Sequence, residues 1–447
     1  MTSDSRGSAG GVNQRILSEL VSEIKSRDVD FIVFGGDLVY GAWVSPSEFE
    51  LQLRTWVQLM RPVYDAGIGV YVCRGNHELG DVWDVEDEAG ADPNENNALS
   101  WLNVFGSDAY PQQKLPANGP DAERYMTYSI SHKNAFIACL DQYAGLGHSF
   151  VHSVNQSWLG EQLATNMKPH VFVVGHEPAF RVMHRDCLDA HPLERDTFWL
   201  SIKGAGGRTY MCGHDHFYDH ASVDDGDGDL SNDIHQYIVG TGGAVPYSWS
   251  GPYDGNNGDF VIGGLYHAES YGYILVEIDG LDVTVTWMER SSTILDVPGV
   301  YKSKDVWQYR VVPGPVVLSP NGGEKLVAGN THVIRWKTLE GVQINKVNIK
   351  FSSDGGENWI IAGISGNNGS YEWVVPAVDS RTCLVRVTAE DRKVSDQSDG
   401  VFTVYQCRQK LKSDLNGDCY VDLLDLAILA SEWLGCGNPF DLSCGVE

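Results

Sequence analysis

The sequence predicts an α/β domain, then an all-β sandwich, and finally a short tail made of a loop and a helix. Helical and strand patterns alternate from residue 13 to residue 212, which favours sheets covered by helices. Residues 316–405 contain short strand patterns of period two, separated by Asn-Gly and Asp-Gly turns. Residues 413–447 contain spaced acidic side chains followed by an apolar helix. We therefore expect domains at 1–311, 316–405 and 413–447, the first being a four-layer α/β/β/α sandwich of two packed mixed sheets.

The elements of the first domain follow from caps and periodicity. Asn13 should cap a helix of about fourteen residues, and the Ser-Pro-Ser-Glu sequence at 45–48 is a capping box for a helix reaching about Tyr64. Apolar runs predict strands at 30–36, 70–73, 125–131, 134–141, 171–174 and 209–212, with helices near 155–166 and 192–203. The strands at 237–239, 271–278 and 283–287 should complete a second sheet. Residues 80–120, rich in Asp, Asn, Gly and Pro, should form a long surface excursion.

The net charge of −28, from 60 acidic and 32 basic residues, disfavours binding to nucleic acid and to anionic membranes. The acidity suits either the solubility of an extracellular protein or calcium binding. We find no run of eighteen apolar residues, so we expect no transmembrane segment. The hydrophobic share of 42% is ordinary for a chain that buries a core.

The cysteine pattern predicts an oxidising compartment. Three cysteines within apolar strand patterns should be buried thiols: Cys73, Cys139 and Cys212. Four others crowd the tail and should form disulfides: Cys407, Cys419, Cys436 and Cys444. Of three possible pairings we favour Cys407–Cys419 with Cys436–Cys444. We expect a secreted or cell-surface protein, with a leader and a first strand upstream of Met1.

Side chains that can bind metals follow four apolar strand patterns. They stand in Gly-Gly-Asp at 35–37, Gly-Asn-His-Glu at 75–78, Gly-His at 175–176 and Gly-His-Asp-His at 213–216. Ligands bind beyond the carboxyl ends of strands in α/β sheets, and carboxylate, amide and imidazole groups form a metal donor set. One Gly-His-x-His alone fits a pair of ordinary loop histidines equally well, whereas four such strand ends favour a metal site.

These motifs, in this order, resemble those of the calcineurin-like metallophosphoesterase superfamily over roughly residues 1–290. The resemblance implies a dinuclear metal centre that hydrolyses a small phosphorylated substrate by in-line attack of a metal-bridging hydroxide. A phosphatase is favoured over a phosphodiesterase. The implied ligands are Asp4, Asp37 and His216 for the first metal, and Asp37, Asn76, His176 and His214 for the second.

The resemblance also implies roles for the residues beside the ligands. His77 would be a general acid or a transition-state hydrogen-bond donor. Glu78 would either orient His77 or form a simple loop ion pair. His184, eight residues after His176, would either assist the leaving group, as a histidine of the corresponding loop does in purple acid phosphatases, or be a surface residue. The loop histidines His148 and His152 would line the mouth of the site or be bystanders.

The first loop departs from the superfamily pattern. It reads Asp4-Ser5-Arg6, where most members have Asp-x-His, so one ligand of the first metal is missing. Tyr40, three residues after Asp37, resembles the ligand tyrosine of purple acid phosphatases. This resemblance implies Fe(III) paired with Zn, Mn or Fe(II); if Tyr40 instead packs on the site wall, a Zn or Mn pair is expected. Arg6 would then clamp a substrate phosphate or form a local ion pair.

The tail contains a calcium-loop pattern. Its oxygen-bearing positions are Asp414, Asn416, Asp418, Tyr420, Asp422 and Asp425. The pattern resembles half of a dockerin repeat, with one loop in place of two and Cys419 at the usual glycine position. Residues 319–324 resemble the start of immunoglobulin-like modules of secreted bacterial proteins. Together these resemblances imply structural Ca²⁺ and a cell-surface or cohesin-like partner.

A second acidic loop follows the histidine motif, with its carboxylates at Asp225, Asp227, Asp229 and Asp233. It predicts either another structural calcium site or a solvated acidic turn. A function of a different class is also possible: the chain could be a catalytically inactive cell-surface binding or scaffold protein.

Overall fold

The structure is a computed structural model that describes residues 1–7, 10–41, 44–79, 95–143, 151–292, 299–390, 394–409 and 411–431. The chain forms two compact units, Met1–Val311 and Val312–Glu447. The tail residues Cys436 and Cys444 and the loop residue His148 lie outside the described residues.

The first unit alternates helices and strands over most of its length. Its helices are α1 (Gln14–Lys25), α2 (Pro46–Tyr64), α3 (Glu95–Phe105), α4 (Gln156–Thr165) and α5 (Pro192–Gly204). Its strands are β1 (Phe31–Phe34), β2 (Gly69–Val72), β3 (Tyr128–His132), β4 (Ala135–Cys139), β5 (His170–Val174), β6 (Thr209–Cys212), β7 (Tyr218–Asp224), β8 (Ile234–Val239), β9 (Val261–Ala268), β10 (Gly272–Asp279), β11 (Asp282–Arg290) and β12 (Tyr301–Arg310).

The helix starts follow the caps predicted from the sequence. The Asn13 side chain accepts a hydrogen bond from the Ile16 amide at the start of α1, and Ser45 accepts one from the Glu48 amide at the start of α2. Asn155 caps α4 in the same way. Each cap satisfies an amide that has no partner within the helix, which is why short polar side chains fix these boundaries.

Seven strands form a mixed sheet in the order β3-β4-β5-β6-β8-β7-β9. The prediction that residues 237–239 belong to a second sheet is wrong, because β8 lies between β6 and β7 in this sheet. β8 is buried along its whole length, as a strand covered on both faces must be. The β10–β11 hairpin does lie in another sheet, where β11 also pairs with β12.

The first three residues join the remaining strands. Thr2 pairs in parallel with Phe34 of β1, and Met1 exchanges backbone hydrogen bonds with Ile274 of β10. β1 also pairs in parallel with β2. Residues 1–3 therefore pair with β1 and β10 directly before Asp4, and these contacts hold that aspartate in place.

The sheets are buried by alternating side chains. In β4, Ala135, Ile137 and Cys139 join the core that contains α1 and α2, whereas Phe136 and Ala138 join the core that contains α4 and α5. The seven-stranded sheet is thus covered on both faces. Cys73, Cys139 and Cys212 are buried free thiols, as predicted.

The predicted surface excursion contains a packed helix, so that prediction needs correction; residues 80–94 lie outside the described residues. In α3, Trp101, Val104 and Phe105 recur at helical spacing and are fully buried. The Trp101 indole N–H also donates to the Tyr125 carbonyl oxygen. The short apolar stripe of α3 outweighs the polar composition around it, because burying two aromatic rings stabilises the helix by several kcal/mol, on the order of 2–3 kcal/mol per ring.

The second unit is β-rich. Its strands are β13 (Pro315–Ser319), β14 (Lys325–Val327), β15 (Thr331–Thr338), β16 (Lys346–Ser352), β17 (Ile360–Gly366), β18 (Ser370–Val374), β19 (Ser380–Ala389), β20 (Ser395–Gln397) and β21 (Phe402–Tyr405), followed by helix α6 (Leu423–Ser431). One sheet has the order β13-β15-β18, and the other has the order β14-β21-β19-β16-β17 with β20 on β19. Both sheets contribute side chains to a single core. No helix in the described residues is long and apolar enough to cross a membrane.

The tail loop is organised by two carboxylates. Asp414 accepts hydrogen bonds from the amides of residues 417–419, and Asp425 accepts them from the amides of residues 415, 416 and 422. Cys419 has a φ of 73°, the left-handed conformation that favours glycine, and forms the predicted disulfide with Cys407. A cysteine thus occupies the usual glycine position in the backbone conformation expected there.

Candidate metal centre

The predicted metal ligands follow strands of different sheets. Asp37 follows β1 and Asn76 follows β2, whereas His176 follows β5 and His214 follows β6. The side-chain atoms of these four residues approach one another within hydrogen-bonding distances. Loops from two sheets therefore meet at one buried point.

Motif glycines permit this close approach. A Cβ atom on Gly75 would lie 2.2 Å from Asp37 Oδ1, and one on Gly213 would lie 2.3 Å from Asp4 Oδ2. Both distances are far below van der Waals contact, so a side chain at either position would displace a predicted ligand. Three predicted ligands themselves adopt left-handed backbone, with φ of 58° at Asp4, 50° at Asp37 and 70° at His214. Such strain clusters at functional sites.

His176 is oriented by the main chain. Its Nδ1 lies 2.8 Å from the Gly35 carbonyl oxygen, to which it donates, so Nε2 retains its lone pair. Nε2 lies 3.1 Å from Asn76 Oδ1 and 3.4 Å from Asp37 Oδ1. Three electron-rich atoms that face one another are suited to holding a cation between them. Atoms that each bind one ion at about 2.1 Å are themselves about 3.0–3.4 Å apart, which is the spacing found here.

His214 completes this set of donors. Its Nδ1 lies 3.3 Å from Asn76 Oδ1, while its Nε2 lies 3.5 Å from Asp186 Oδ1. Burial alone would lower the pKa of His214, but the Asp186 carboxylate raises it to about 10 when no metal is bound. A metal ion at Nδ1 would displace that proton, and Asp186 would keep the other ring nitrogen protonated. Asp37, Asn76, His176 and His214 therefore fit one metal ion.

Asp37 is the most strongly stabilised carboxylate of the centre. Burial alone would raise its pKa, but the nearby His77, His176 and Arg6 hold the pKa below its ordinary value. Asp4 shows the opposite balance, because burial and the charge of Asp37 raise its pKa well above the ordinary value. Two buried carboxylates in one site are stabilised by added positive charge.

The other predicted first-metal ligands lie around Arg6. His216 Nε2 lies 3.5 Å from Asp4 Oδ1 and 3.0 Å from Arg6 Nη2. Arg6 Nε lies 3.4 Å from Asp37 Oδ2. Tyr247, which the sequence analysis did not single out, stacks on the His216 ring at 4.2 Å and accepts a hydrogen bond from Arg6 Nη2 at 3.3 Å.

His77 lies beside Asp37 but is held by Tyr40 rather than by Glu78. His77 Nδ1 bonds to the Tyr40 carbonyl oxygen, and the two rings are 5.7 Å apart. The Glu78 carboxylate instead accepts hydrogen bonds from the amides of Asp37, Val39 and Gly75. The prediction that Glu78 orients His77 is corrected. Its buried carboxylate instead holds the backbone of the loop that contains Asp37 and of the loop that begins at Gly75. The Tyr40 side chain is 36% exposed.

His184 lies at the edge of the centre. Its ring centroid is 5.0 Å from that of His214, and its Nδ1 bonds to the Asp215 carboxylate. Asp215 also accepts hydrogen bonds from the amides of Met183 and His184. The sequence analysis overlooked Asp215, although it stands inside the Gly-His-Asp-His motif. Its partner His184 is distant in the sequence, and no local sequence pattern connects the two residues.

In the second acidic loop, a lysine ammonium group contacts the carboxylates that were predicted to bind calcium. The Lys203 ammonium lies 2.8 Å from Asp227 Oδ2 and also contacts Asp225 Oδ2. Asp229 accepts hydrogen bonds from Ser231 within its own turn. Carboxylates of Asp224, Asp225 and Asp227 lie within 4.8 Å of one another, so the described cluster is not the predicted set with Asp229 and Asp233.

The ion pair between His152 and Glu177 should stabilise the folded protein in a pH-dependent way. Its Nδ1 lies 2.7 Å from Oε1 of the fully buried Glu177. Burial alone would lower the pKa of His152, but the Glu177 carboxylate raises it above its ordinary value. A pKa raised by folding stabilises the fold fully below the unfolded-state pKa, near 6.5, and this contribution is lost as pH rises through the folded-state pKa.

We therefore expect His152→Asn to destabilise the protein by about 1–2 kcal/mol more at pH 5.5 than at pH 9. Asn is suitable because His152 has a φ of 59°, which Asn tolerates. Denaturant unfolding at both pH values measures the difference. An equal loss at the two values would show that the ion pair contributes nothing.

One family model matches part of the first unit. Residues 10–218 match the family model of the calcineurin-like phosphoesterases, which supports a metallophosphoesterase domain at the amino-terminal end of the chain. Asp37, Asn76, His176, His214 and His216 fall within the matched range, whereas the first loop with Asp4 and Arg6 precedes it.

Other comparisons add little. No curated protein matches the chain. Among fifteen matching solved chains is one of fibronectin(III)-like modules of CbhA from Clostridium thermocellum. The two chains are 11% identical, and the match covers 46% of this chain and 93% of the other. The TM-score of 0.18 is too low to indicate a shared fold.

Proposed function

We propose that residues 1–311 hydrolyse phosphate esters with a metal ion held by Asp37, Asn76, His176 and His214. The observation that supports this most directly is the set of donor atoms 3.1–3.4 Å apart, with the remaining nitrogen of His176 bound to a backbone carbonyl. A metal ion there would supply Lewis-acid chemistry, activating water and neutralising the charge that develops on a phosphoryl group. The family match supports the same class of reaction.

The chain's own residues would bind the substrate and move protons. Arg6, 21% exposed, presents a permanent positive charge and planar donors that suit phosphoryl oxygens. His184 would donate a proton from Nε2 to the leaving oxygen, since Asp215 holds its Nδ1 and orients the ring. The Nδ1 atom of His77 is bonded to the Tyr40 carbonyl oxygen, which leaves Nε2 beside Asp37. This second ring nitrogen would donate a hydrogen bond or a proton to the substrate.

The substrate preference is tested by comparing an aryl phosphate with a bis-aryl phosphate on metal-loaded protein. We expect the monoester to be hydrolysed at least about 10-fold faster, because Arg6 favours a phosphoryl group with two free charged oxygens, which is worth roughly 1.4 kcal/mol. Faster turnover of the diester would reverse this preference. Stoichiometric metal without turnover of either ester would contradict the proposed function and favour a binding or scaffold role.

Metal identity is part of the same proposal. A Tyr40 phenolate would favour Fe(III) and give a visible charge-transfer colour that Tyr40→Phe removes. A colourless protein active with Zn or Mn would leave Tyr40 as a wall residue next to His77.

We also propose that the tail loop binds Ca²⁺ as a structural ion. Support comes from the carboxylates of Asp414 and Asp425, which organise the loop through six backbone amides in all. Binding to the folded loop alone stabilises it by about 2.7 kcal/mol at a ligand concentration 100 times the dissociation constant. We expect Ca²⁺ to protect the tail from proteolysis in the wild type but not in Asp414→Ala. Equal protection in both proteins would exclude this site.

A further inference from the structure

Calcineurin-like phosphoesterases use a dinuclear metal centre, and ligand atoms of Asp4, Asp37 and His176 lie within 4.8 Å of one another here, but the two predicted positions differ in what surrounds them. The position formed by Asp37, Asn76, His176 and His214 has donor atoms at the required spacing. The other position, predicted from Asp4, Asp37 and His216, contains the guanidinium of Arg6.

The contact with His216 shows the conflict most clearly. His216 Nδ1 lies 3.1 Å from the Val245 carbonyl oxygen, to which it donates, so the lone pair is on Nε2. That lone pair accepts a hydrogen bond from Arg6 Nη2 at 3.0 Å. A metal ion would bind the same lone pair at about 2.1 Å, along the direction that Arg6 occupies. The ion and the guanidinium cannot both be there.

Asp37 is shared in the same way. Its Oδ1 faces His176 Nε2 at 3.4 Å, on the side of the complete donor set. Its Oδ2 faces Arg6 Nε at 3.4 Å, on the other side. In a dinuclear centre this carboxylate would bridge two metal ions, whereas here its second oxygen already has a cationic partner.

The backbone and neighbours of Arg6 hold the guanidinium there. Arg6 pairs with Val12 in an isolated antiparallel bridge, and the preceding Ser5 amide donates to the Asp37 carbonyl oxygen. Tyr247 accepts from Arg6 Nη2 while stacking on the His216 ring. Arginine stays protonated at any working pH, so its charge is permanent. Counting only Asp4, Asp37 and Arg6, one divalent ion leaves the centre at a charge of +1, whereas two would leave it at +3.

We infer that the Arg6 guanidinium takes the place of the first metal ion, and that the centre binds one metal ion rather than two. The inference deepens the proposed function and rests on it for its catalytic meaning. Arg6 would neutralise Asp37 and contact the phosphoryl group, but a guanidinium cannot activate water as a metal ion does. Water activation would therefore depend on the single ion held by Asp37, Asn76, His176 and His214.

The test counts metal ions in the full chain after loading with Mn²⁺, with excess Ca²⁺ present to fill the acidic loops. Elemental analysis after desalting gives the stoichiometry, and the Asp37→Asn variant gives the metal held outside the centre. Electron paramagnetic resonance provides a second readout, since two neighbouring Mn²⁺ ions give an exchange-coupled spectrum and one ion does not. We expect one Mn²⁺ per centre and an uncoupled spectrum in the wild type.

Two variants at position 6 sharpen the test. Arg6→His restores the imidazole of the superfamily motif, and we expect it to bind two Mn²⁺ ions with a coupled spectrum. Arg6→Met removes the charge without adding a ligand and should bind fewer than two. Two coupled ions in the wild-type centre would overturn the inference even if the protein hydrolyses esters. One ion without hydrolysis would support the inference and contradict the proposed function, so the two failures are distinguishable.

Discussion

Asp37→Asn should lower kcat/KM for an aryl phosphate by at least about 1000-fold, which corresponds to roughly 4 kcal/mol of transition-state stabilisation. Asp37 contacts both parts of the centre: its Oδ1 faces His176 of the metal-donor set, and its Oδ2 faces Arg6. The substitution removes this negative charge while keeping the shape of the side chain. Bound metal measured by elemental analysis should fall together with the activity.

The fold should survive this substitution. Asn tolerates the φ of 50° at position 37, and its amide oxygen can still accept the hydrogen bond that the His77 amide donates to Asp37 Oδ1. Asp65→Asn is the matched control, because it makes the same chemical change at an exposed residue whose partner is Arg61. Activity of Asp37→Asn within tenfold of the wild type would show that the reaction does not depend on this carboxylate.

Arg74→Leu should lower the free energy of unfolding by about 3–5 kcal/mol, the largest loss of stability we expect from a single change outside the ligands. Arg74 and Asp141 form an ion pair in which the side chains are 1% and 0% exposed. Removing the guanidinium leaves a buried carboxylate without its charged partner. Denaturant unfolding followed by intrinsic fluorescence measures the loss.

Two controls separate burial from charge. Arg61→Leu breaks the exposed pair with Asp65 and should cost less than about 1 kcal/mol. The double variant Arg74→Leu/Asp141→Leu should recover part of the stability lost in Arg74→Leu, since no unpaired charge remains. Similar losses for Arg74→Leu and Arg61→Leu would show that burial of the pair is irrelevant to stability.

The features predictable from the sequence are local ones. Caps such as Asn13 and Ser45 act on amides two or three residues away, so short segments contain the information for the ends of helices. The strand-end motifs behave similarly, because a buried strand followed by glycine and a polar residue places that residue at the sheet edge. This reasoning identified the side chains that the structure brings together at the centre.

The features that escaped prediction depend on distant parts of the chain. The position of β8 between β6 and β7 follows from pairing with residues more than twenty positions away in β6, which its own composition does not specify. The Glu78 carboxylate bonds to amides of a loop some forty residues upstream, and Asp215 bonds to His184 thirty-one residues away. Hydrogen-bond partners of buried polar groups are set by tertiary contacts rather than by local pattern.

The division of the donor set between two sheets has a mechanical consequence. Asp37 and Asn76 follow β1 and β2, while His176 and His214 follow β5 and β6 of the seven-stranded sheet. A cation bound by all four side chains would cross-link the two sheets. Its binding free energy would oppose any motion that separates one sheet from the other. Removing the ion would thus loosen the contact between the sheets at this edge first, so the stability of the first unit would depend on the metal concentration around the protein.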